Sequence, residues 1–121
     1  MSNLTLDFLQ NYLLSKKGAT EEIPFGPDAR VFKVMGKMFA LFAWETDPLR
    51  ITLKCDPDDA LALRQQYAAV QPGYYMNKRH WNTITLDGSV PDSELLAMID
   101  DSYALVVAGL KKSLREQLAA M

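Results

Sequence analysis

Between Val31 and Cys55 the chain carries three short apolar runs separated by turn signals, and that spacing constrains the fold more than any other stretch. Val31 to Val34 is β-branched and aromatic-rich. Met35-Gly36-Lys37 reads as a tight hairpin connection, in which glycine is free to take positive φ. Met38 to Trp44 is the return strand, and Thr46-Asp47-Pro48 turns the chain again. Arg50 to Cys55 then alternates, with Ile51, Leu53 and Cys55 facing one way and Arg50, Thr52 and Lys54 the other. Strands joined by turns this short pair antiparallel, because parallel pairing needs a long crossover. The alternation predicts a sheet with one buried and one wet face.

Helical patterns flank these strands. Thr5 is placed to cap a first helix in which Leu6, Leu9 and Leu13 recur at helical spacing. Lys16-Lys17-Gly18 ends it. Glu21 to Asp28 contains Pro24, Gly26 and Pro27, which fits a loop or a short edge strand. Asp56-Pro57-Asp58-Asp59 is a strong helix start, with a cap, a proline for the first helical position and acids for the positive end of the dipole. That helix is predicted to run to about Tyr67, burying Leu61 and, one turn on, the stem of Arg64 or Gln65. Val70-Gln71-Pro72-Gly73 breaks it, and Trp81 to Leu86 reads as a strand with Ile84 and Leu86 on one face. Pro91-Asp92-Ser93-Glu94 opens the longest helix, whose apolar stripe is Leu95, Ile99, Tyr103, Val106 and Leu110. Leu114 and Leu118 continue a short C-terminal helix. The predicted fold is α+β, an antiparallel meander with helices packed on one face. Its order is α-β-β-β-α-β-α, with room for one more short strand near Ile23.

Size and composition bound what such a fold can do. The 121 residues make one domain, 1–121, and 49% hydrophobic content supplies a core without disulfides or a structural metal. A single cysteine excludes an intrachain disulfide and points to the cytoplasm. No apolar stretch approaches the ~20 residues needed to span a bilayer, so no membrane partner is expected. The N-terminal residues lack the basic and apolar regions of a signal peptide. Net charge is -2, against the usual basic balance of a general nucleic-acid binder. Any attraction for an anion must come from a local patch.

Catalytic and metal chemistry find little support. One histidine and one cysteine fall short of a typical metal ligand set, so no metal or cofactor is expected. Cys55 precedes a helix start, where a thiolate can be favoured, and His80 is available as a base. The plainer reading is that Cys55 continues the apolar face of Ile51 and Leu53 beside an unfavourable Asp56. The chain has no Gly-x-Ser-x-Gly elbow and no glycine-rich phosphate loop. Asp58-Asp59 and Asp100-Asp101 fit solvated helix faces, and Met35, Met38 and Met76 fit the core. The chain is therefore expected not to be an enzyme.

The richest chemistry lies in Pro72 to Gly88, where Tyr74, Tyr75, Met76, Asn77, Lys78, Arg79, His80 and Trp81 follow one another. Lys78 and Arg79 suit phosphates, His80 a donor or pH-sensitive contact, and Trp81 or the tyrosines a stacking plane. Asn77 either reads a base edge or caps the turn. On residue chemistry alone a structural role outweighs this, since aromatics beside charges also mark ordinary sheet-helix junctions.

Several stretches together resemble the MmcQ/YjbR family of small bacterial proteins. They are Lys17 to Pro27, Val31 to Ala40, Leu53-Lys54-Cys55-Asp56-Pro57, Tyr74 to Gly88 and Asp101-Ser102-Tyr103. The resemblance implies a frataxin/CyaY-like fold and a double-wing mode of DNA binding in which hairpins contact the duplex. Carried onto this chain, Lys37 sits on one wing, and Asn77, Lys78, Arg79, His80 and Trp81 form the other contact surface. Arg50, Lys54 and Arg64 extend it if the wet sheet face is shared. The chain departs from the family pattern at Lys16-Lys17-Gly18, where Lys-Pro-Gly is common, and at Tyr74-Tyr75, where Tyr-His is common. A frataxin-like role in iron delivery does not carry over, because the first helix has little acid beyond Asp7. The expected function is a DNA-binding or regulatory protein contacting the phosphates of double-stranded DNA. Two other readings stay open: a protein-interaction module engaging another protein through the same aromatic patch, and a small-ligand protein or enzyme with a pocket near His80.

Overall fold

In the computed structural model, residues 5–23, 29–43, 48–73 and 76–121 are described. In chain order they form α1 (Leu6–Leu14), β1 (Ala19–Glu22), β2 (Ala29–Val34), β3 (Lys37–Ala43) and β4 (Arg50–Lys54). There follow α2 (Pro57–Gln66), β5 (Val70–Pro72), β6 (Trp81–Thr85), α3 (Asp92–Ala108) and α4 (Lys112–Ala119). The strands make one sheet, ordered β1-β2-β3-β4-β6-β5, and every neighbouring pair is antiparallel. The α+β class and the antiparallel sheet hold; the meander runs from β1 to β4, after which β6 is placed inside β5.

The element order is longer than predicted. The strand anticipated near Ile23 forms as β1, four residues at the sheet edge. Its carboxylates pair inward, Glu21 with Arg30 at 2.9 Å and Glu22 with Lys33 at 2.8 Å. Val70 to Pro72, read as a helix breaker, is itself a strand. It lies at the other edge, where the missing proline N–H leaves no inner ladder bond unmade. The C-terminal helix is separate from α3, which stops at Ala108. The predicted turn around Thr46-Asp47 and the end of the second predicted strand at Trp44 lie outside the described residues.

Local chemistry explains the elements that were anticipated. Met35 and Gly36 have φ of 50° and 82°, the two positive values that a two-residue type I′ hairpin requires. Thr5 Oγ1 accepts from the Phe8 N–H at 3.1 Å, and Asp56 Oδ1 accepts from the Asp58 N–H at 3.0 Å. Each cap satisfies a helix N–H that has no partner within its own helix.

The helices contribute their apolar faces to a core on one side of the sheet. Leu9 and Leu13 of α1, Leu95, Ile99 and Val106 of α3, and Leu118 of α4 are all buried there. The sheet supplies Phe32, Phe42, Ile51, Leu53 and Ile84. In α2 the buried face differs from the predicted one. Ala60 is buried, and Leu63 and Tyr67 pack against the core. Leu61 is 56% exposed, because the stripe starts one residue earlier than expected. The opposite sheet face is also drier than predicted. Thr52 and Thr83 are directly opposed on β4 and β6, are 5% and 3% exposed, and share a hydrogen bond of 2.8 Å between their hydroxyls.

Two polar contacts fix how the layers meet. The register of β2 and β3 shifts between Phe32 and Lys33, leaving Phe39 as an extra residue on β3. Just beyond the last β3–β4 pair, Ala40 with Leu53, the fully buried Ser102 of α3 bridges the two strands. It accepts from the Lys54 N–H at 2.9 Å and donates to the Phe39 carbonyl at 2.5 Å. Nearer the surface, Tyr12 OH donates to Asp100 Oδ1 at 2.7 Å, and Lys16 Nζ reaches the same oxygen. This ties α1 to α3.

Ser102→Ala would leave a buried N–H and a buried carbonyl unpaired. It is expected to lower stability by about 1–3 kcal/mol, measured by urea unfolding. Asp100 gives a pH signature. Burial alone would raise its carboxyl, but hydrogen bonds from Lys16 and Tyr12 outweigh that and hold it below the ordinary 3.8. A depressed carboxylate contributes stability above its ordinary value and loses it as pH falls through the folded value. The stability gap between the wild type and Asp100→Asn should therefore be present at about pH 6 and narrow by about pH 3.

Candidate functional site

The predicted contact residues fall at one end of the sheet. Lys54 pairs with Trp81 across β4 and β6, and Cys55 N donates to the His80 carbonyl at 2.7 Å, extending that ladder by one step. The β2–β3 hairpin, with Lys37 as the first residue of β3, turns at the same end, since Ala40 pairs with Leu53. One strand, β4, lies between β3 and β6, so the two strands that carry these turns are about 10 Å apart at two strand spacings. Lys37, Asn77, Lys78 and Arg79 are exposed, and His80 and Trp81 are half-buried. Among the described residues, no ion pair takes in Lys37, Lys78 or Arg79. Tyr74 and Tyr75 lie outside the described residues.

The 77–81 turn is built from its own backbone and from one arginine. Asn77 Oδ1 accepts from the Arg79 N–H at 3.0 Å, and the Asn77 carbonyl accepts from the His80 N–H at 3.1 Å. Asn77 is thus a turn cap, which takes up the oxygen that could have read a base edge. Arg64 of α2 reaches across from the helix side. Its Nε donates to Asn82 Oδ1 at 2.7 Å, and its Nη2 donates to the carbonyls of Lys78 and of Trp81, the latter at 3.3 Å. Asn82 is 2% exposed, and its amide nitrogen donates to the Ala60 carbonyl at 3.4 Å. Gly73 closes the other side. Its N–H donates to the Trp81 carbonyl at 2.8 Å, and a Cβ there would stand 2.8 Å from Trp81 Cβ. Only glycine allows so close an approach.

Two anticipated additions to the surface are corrected. Arg64 is turned inward as the anchor of the turn and is not an outward cation. Arg50 lies at the opposite end of β4, paired with Ala43 and Thr85, a full strand length from Lys54. Sequence reasoning missed the clamp itself. Its one sequence signal is Asn82, a polar residue at the same strand parity as the apolar Ile84.

Cys55 and His80 are neighbours through their backbones. The thiol, however, is pushed up to about 11, by burial first and then by the carboxylates of Asp59, Asp101 and Asp56, against the smaller pull of Arg64. It is protonated at neutral pH, the reverse of what a cysteine nucleophile needs. Among the described residues no group of three histidine, cysteine or acidic side chains is placed to hold a metal ion, and no helix is long and apolar enough to cross a membrane.

The clamp makes a direct prediction. Arg64→Met keeps the stem and removes the guanidinium, leaving the buried Asn82 oxygen and the Lys78 carbonyl without their donor, while the Trp81 carbonyl keeps the Gly73 N–H. Stability should fall by about 1–3 kcal/mol. Amide exchange at residues 78–81 should rise far more than at the β2–β3 hairpin, as read by hydrogen–deuterium exchange.

The chain is similar to known proteins along most of its length. The YjbR family model matches residues 14–105. The uncharacterised protein YjbR of Escherichia coli is 34% identical over 118 residues, covering 98% of this chain and all of that one. The uncharacterised protein YbdF of E. coli O157:H7 is 42% identical over 89 residues, covering 74% of this chain and 73% of that protein. Among solved structures, a Deinococcus radiodurans protein with a DUF419 domain superposes with a TM-score of 0.88 at 40% identity, over 95% of this chain and 88% of that chain. A Pseudomonas syringae protein superposes with a TM-score of 0.72 at 28% identity, over 84% and 98%. With the family model spanning the whole sheet and most of α3, this chain belongs to the YjbR family.

Proposed function

We propose that this protein is a cytoplasmic, non-enzymatic DNA-binding or regulatory protein that grips the phosphates of double-stranded DNA with two turns. The observation that carries this reading is the shared sheet end. Lys37 on the β2–β3 hairpin and Lys78 and Arg79 on the β5–β6 connection are exposed, and none of them joins an ion pair among the described residues. Two cationic turns on strands about 10 Å apart suit contact with separate phosphates, in the manner of paired wings. Lys54 and the half-buried Trp81, facing each other on neighbouring strands, extend the surface. The antiparallel sheet beneath a layer of helices also supports a frataxin/CyaY-like description of the fold.

The geometry limits the mode of approach. α2 begins with Asp56, Asp58 and Asp59 at the same sheet end, on the helix side. A polyanion must therefore come from the strand side, away from those carboxylates. A rigid, clamped turn has little order to gain on binding, which favours contact with a phosphate backbone over adaptation to a flexible partner.

Three phosphate contacts by Lys37, Lys78 and Arg79 predict that log affinity for duplex DNA falls linearly with log salt, with a slope of about -2.7. Lys78→Ala/Arg79→Ala should reduce that slope by about 1.8 and Lys37→Ala by about 0.9. Fluorescence anisotropy with a labelled duplex across a salt series measures both. No binding at low salt, or unchanged slopes in the variants, would remove the proposal.

A further inference from the structure

The helix layer over the sheet has a gap. Between α2 and α3 lies a cleft of about 200 Å³, open to solvent on one side and floored by β4 and β6. Its walls divide by chemistry. Leu53, Leu63 and Met98 are apolar and sit deep, while Asp59, Glu94 and Asp101 stand at its rim. Against these three carboxylates, Lys54 is the one cation in the lining among the described residues. Among the described residues none of the three carboxylates is in an ion pair.

Packed interiors leave few voids of this size, and a concave apolar floor with a few convergent polar groups is the usual form of a small-molecule site. The sign of the field inside is legible from Cys55, which also lines the cleft. Its thiol is raised by burial and then by Asp59 and Asp101, two of the rim residues. An anion entering here would meet that same field, and the phosphate-contacting turns proposed above use other side chains. The cleft is smaller than the ~300–1,000 Å³ typical of drug-sized ligands, so its occupant is correspondingly small.

We propose that the cleft between α2 and α3 binds a small organic cation, with its apolar body on the Leu53–Leu63–Met98 floor and its charge among Asp59, Glu94 and Asp101. The floor supplies burial of apolar surface, and the rim supplies charge complementarity without having to break an existing ion pair.

The test is a titration of the full chain at neutral pH with phenethylammonium, followed by ¹H–¹⁵N NMR. The neutral 2-phenylethanol, of similar size and shape, serves as the control. Saturable shifts at Cys55, Leu63, Met98 and Asp101 are expected with the ammonium, and affinity for the alcohol at least several-fold weaker. Asp59→Asn and Asp101→Asn, both at exposed positions, should each weaken the ammonium several-fold and leave the alcohol unchanged. Ala97→Leu, which narrows the cleft from α3, should abolish both. Equal affinity for ammonium and alcohol, full retention in both carboxamide variants, or no saturable shift with either compound overturns the proposal. None of these outcomes depends on nucleic-acid binding.

Discussion

The guanidinium of Arg64 organises the sheet end on which the candidate surface stands. It sits between a helix, a strand and a turn, and it donates to each of the latter two. Asn82 makes this necessary. A carboxamide at a buried strand position is costly unless its oxygen and nitrogen are both paired, and here Arg64 and the Ala60 carbonyl provide the partners. The same contact that satisfies Asn82 draws Arg64 over the backbone of Lys78 and Trp81. Stability and the shape of the basic turn are thereby coupled, and the cations at 78 and 79 project from a fixed base.

Charge is arranged by position and not by total. The net charge of -2 conceals a basic sheet end, where Lys37, Lys54, Lys78 and Arg79 gather, and an acidic helix side, where α2 and α3 carry most of the nearby carboxylates. Between those two acidic helices the packing is incomplete. The turns proposed to meet a polyanion and the cleft proposed to hold a small cation have Lys54 in common and otherwise use different residues.

Polar residues inside the core do the joining. Ser102 lies on the buried stripe of α3 between Ile99 and Val106, a place where an apolar residue would ordinarily be expected. Its hydroxyl links Phe39 and Lys54 just beyond the end of the β3–β4 ladder. Thr52 and Thr83 do the same for each other on the far face. In each case the hydroxyl keeps a buried polar group paired, which is what allows it to be buried.

The sequence alone determined the class of fold, because its signals are local. Two-residue turn chemistry at Met35-Gly36 and the Asp56-Pro57 cap each act within a few residues, and each forms as read; the Arg50 to Cys55 run forms a strand, but with Thr52 buried and not on a wet face. The leucine stripes of α1 and α3 point inward for the same reason. What depended on distant partners stayed hidden. β5 needed β6 beside it to become a strand, since a three-residue segment ending in proline carries no periodicity of its own. The phase of α2, with Ala60 inward and Leu61 outward, goes with Arg64 reaching Asn82 across 18 positions of sequence. Likewise, the basic residues of the 77–81 run were visible at once, but their alignment with Lys37 came from strand register. Arg64 reads in sequence as one more surface cation. Only the tertiary structure, by burying Asn82, made it the anchor of the site.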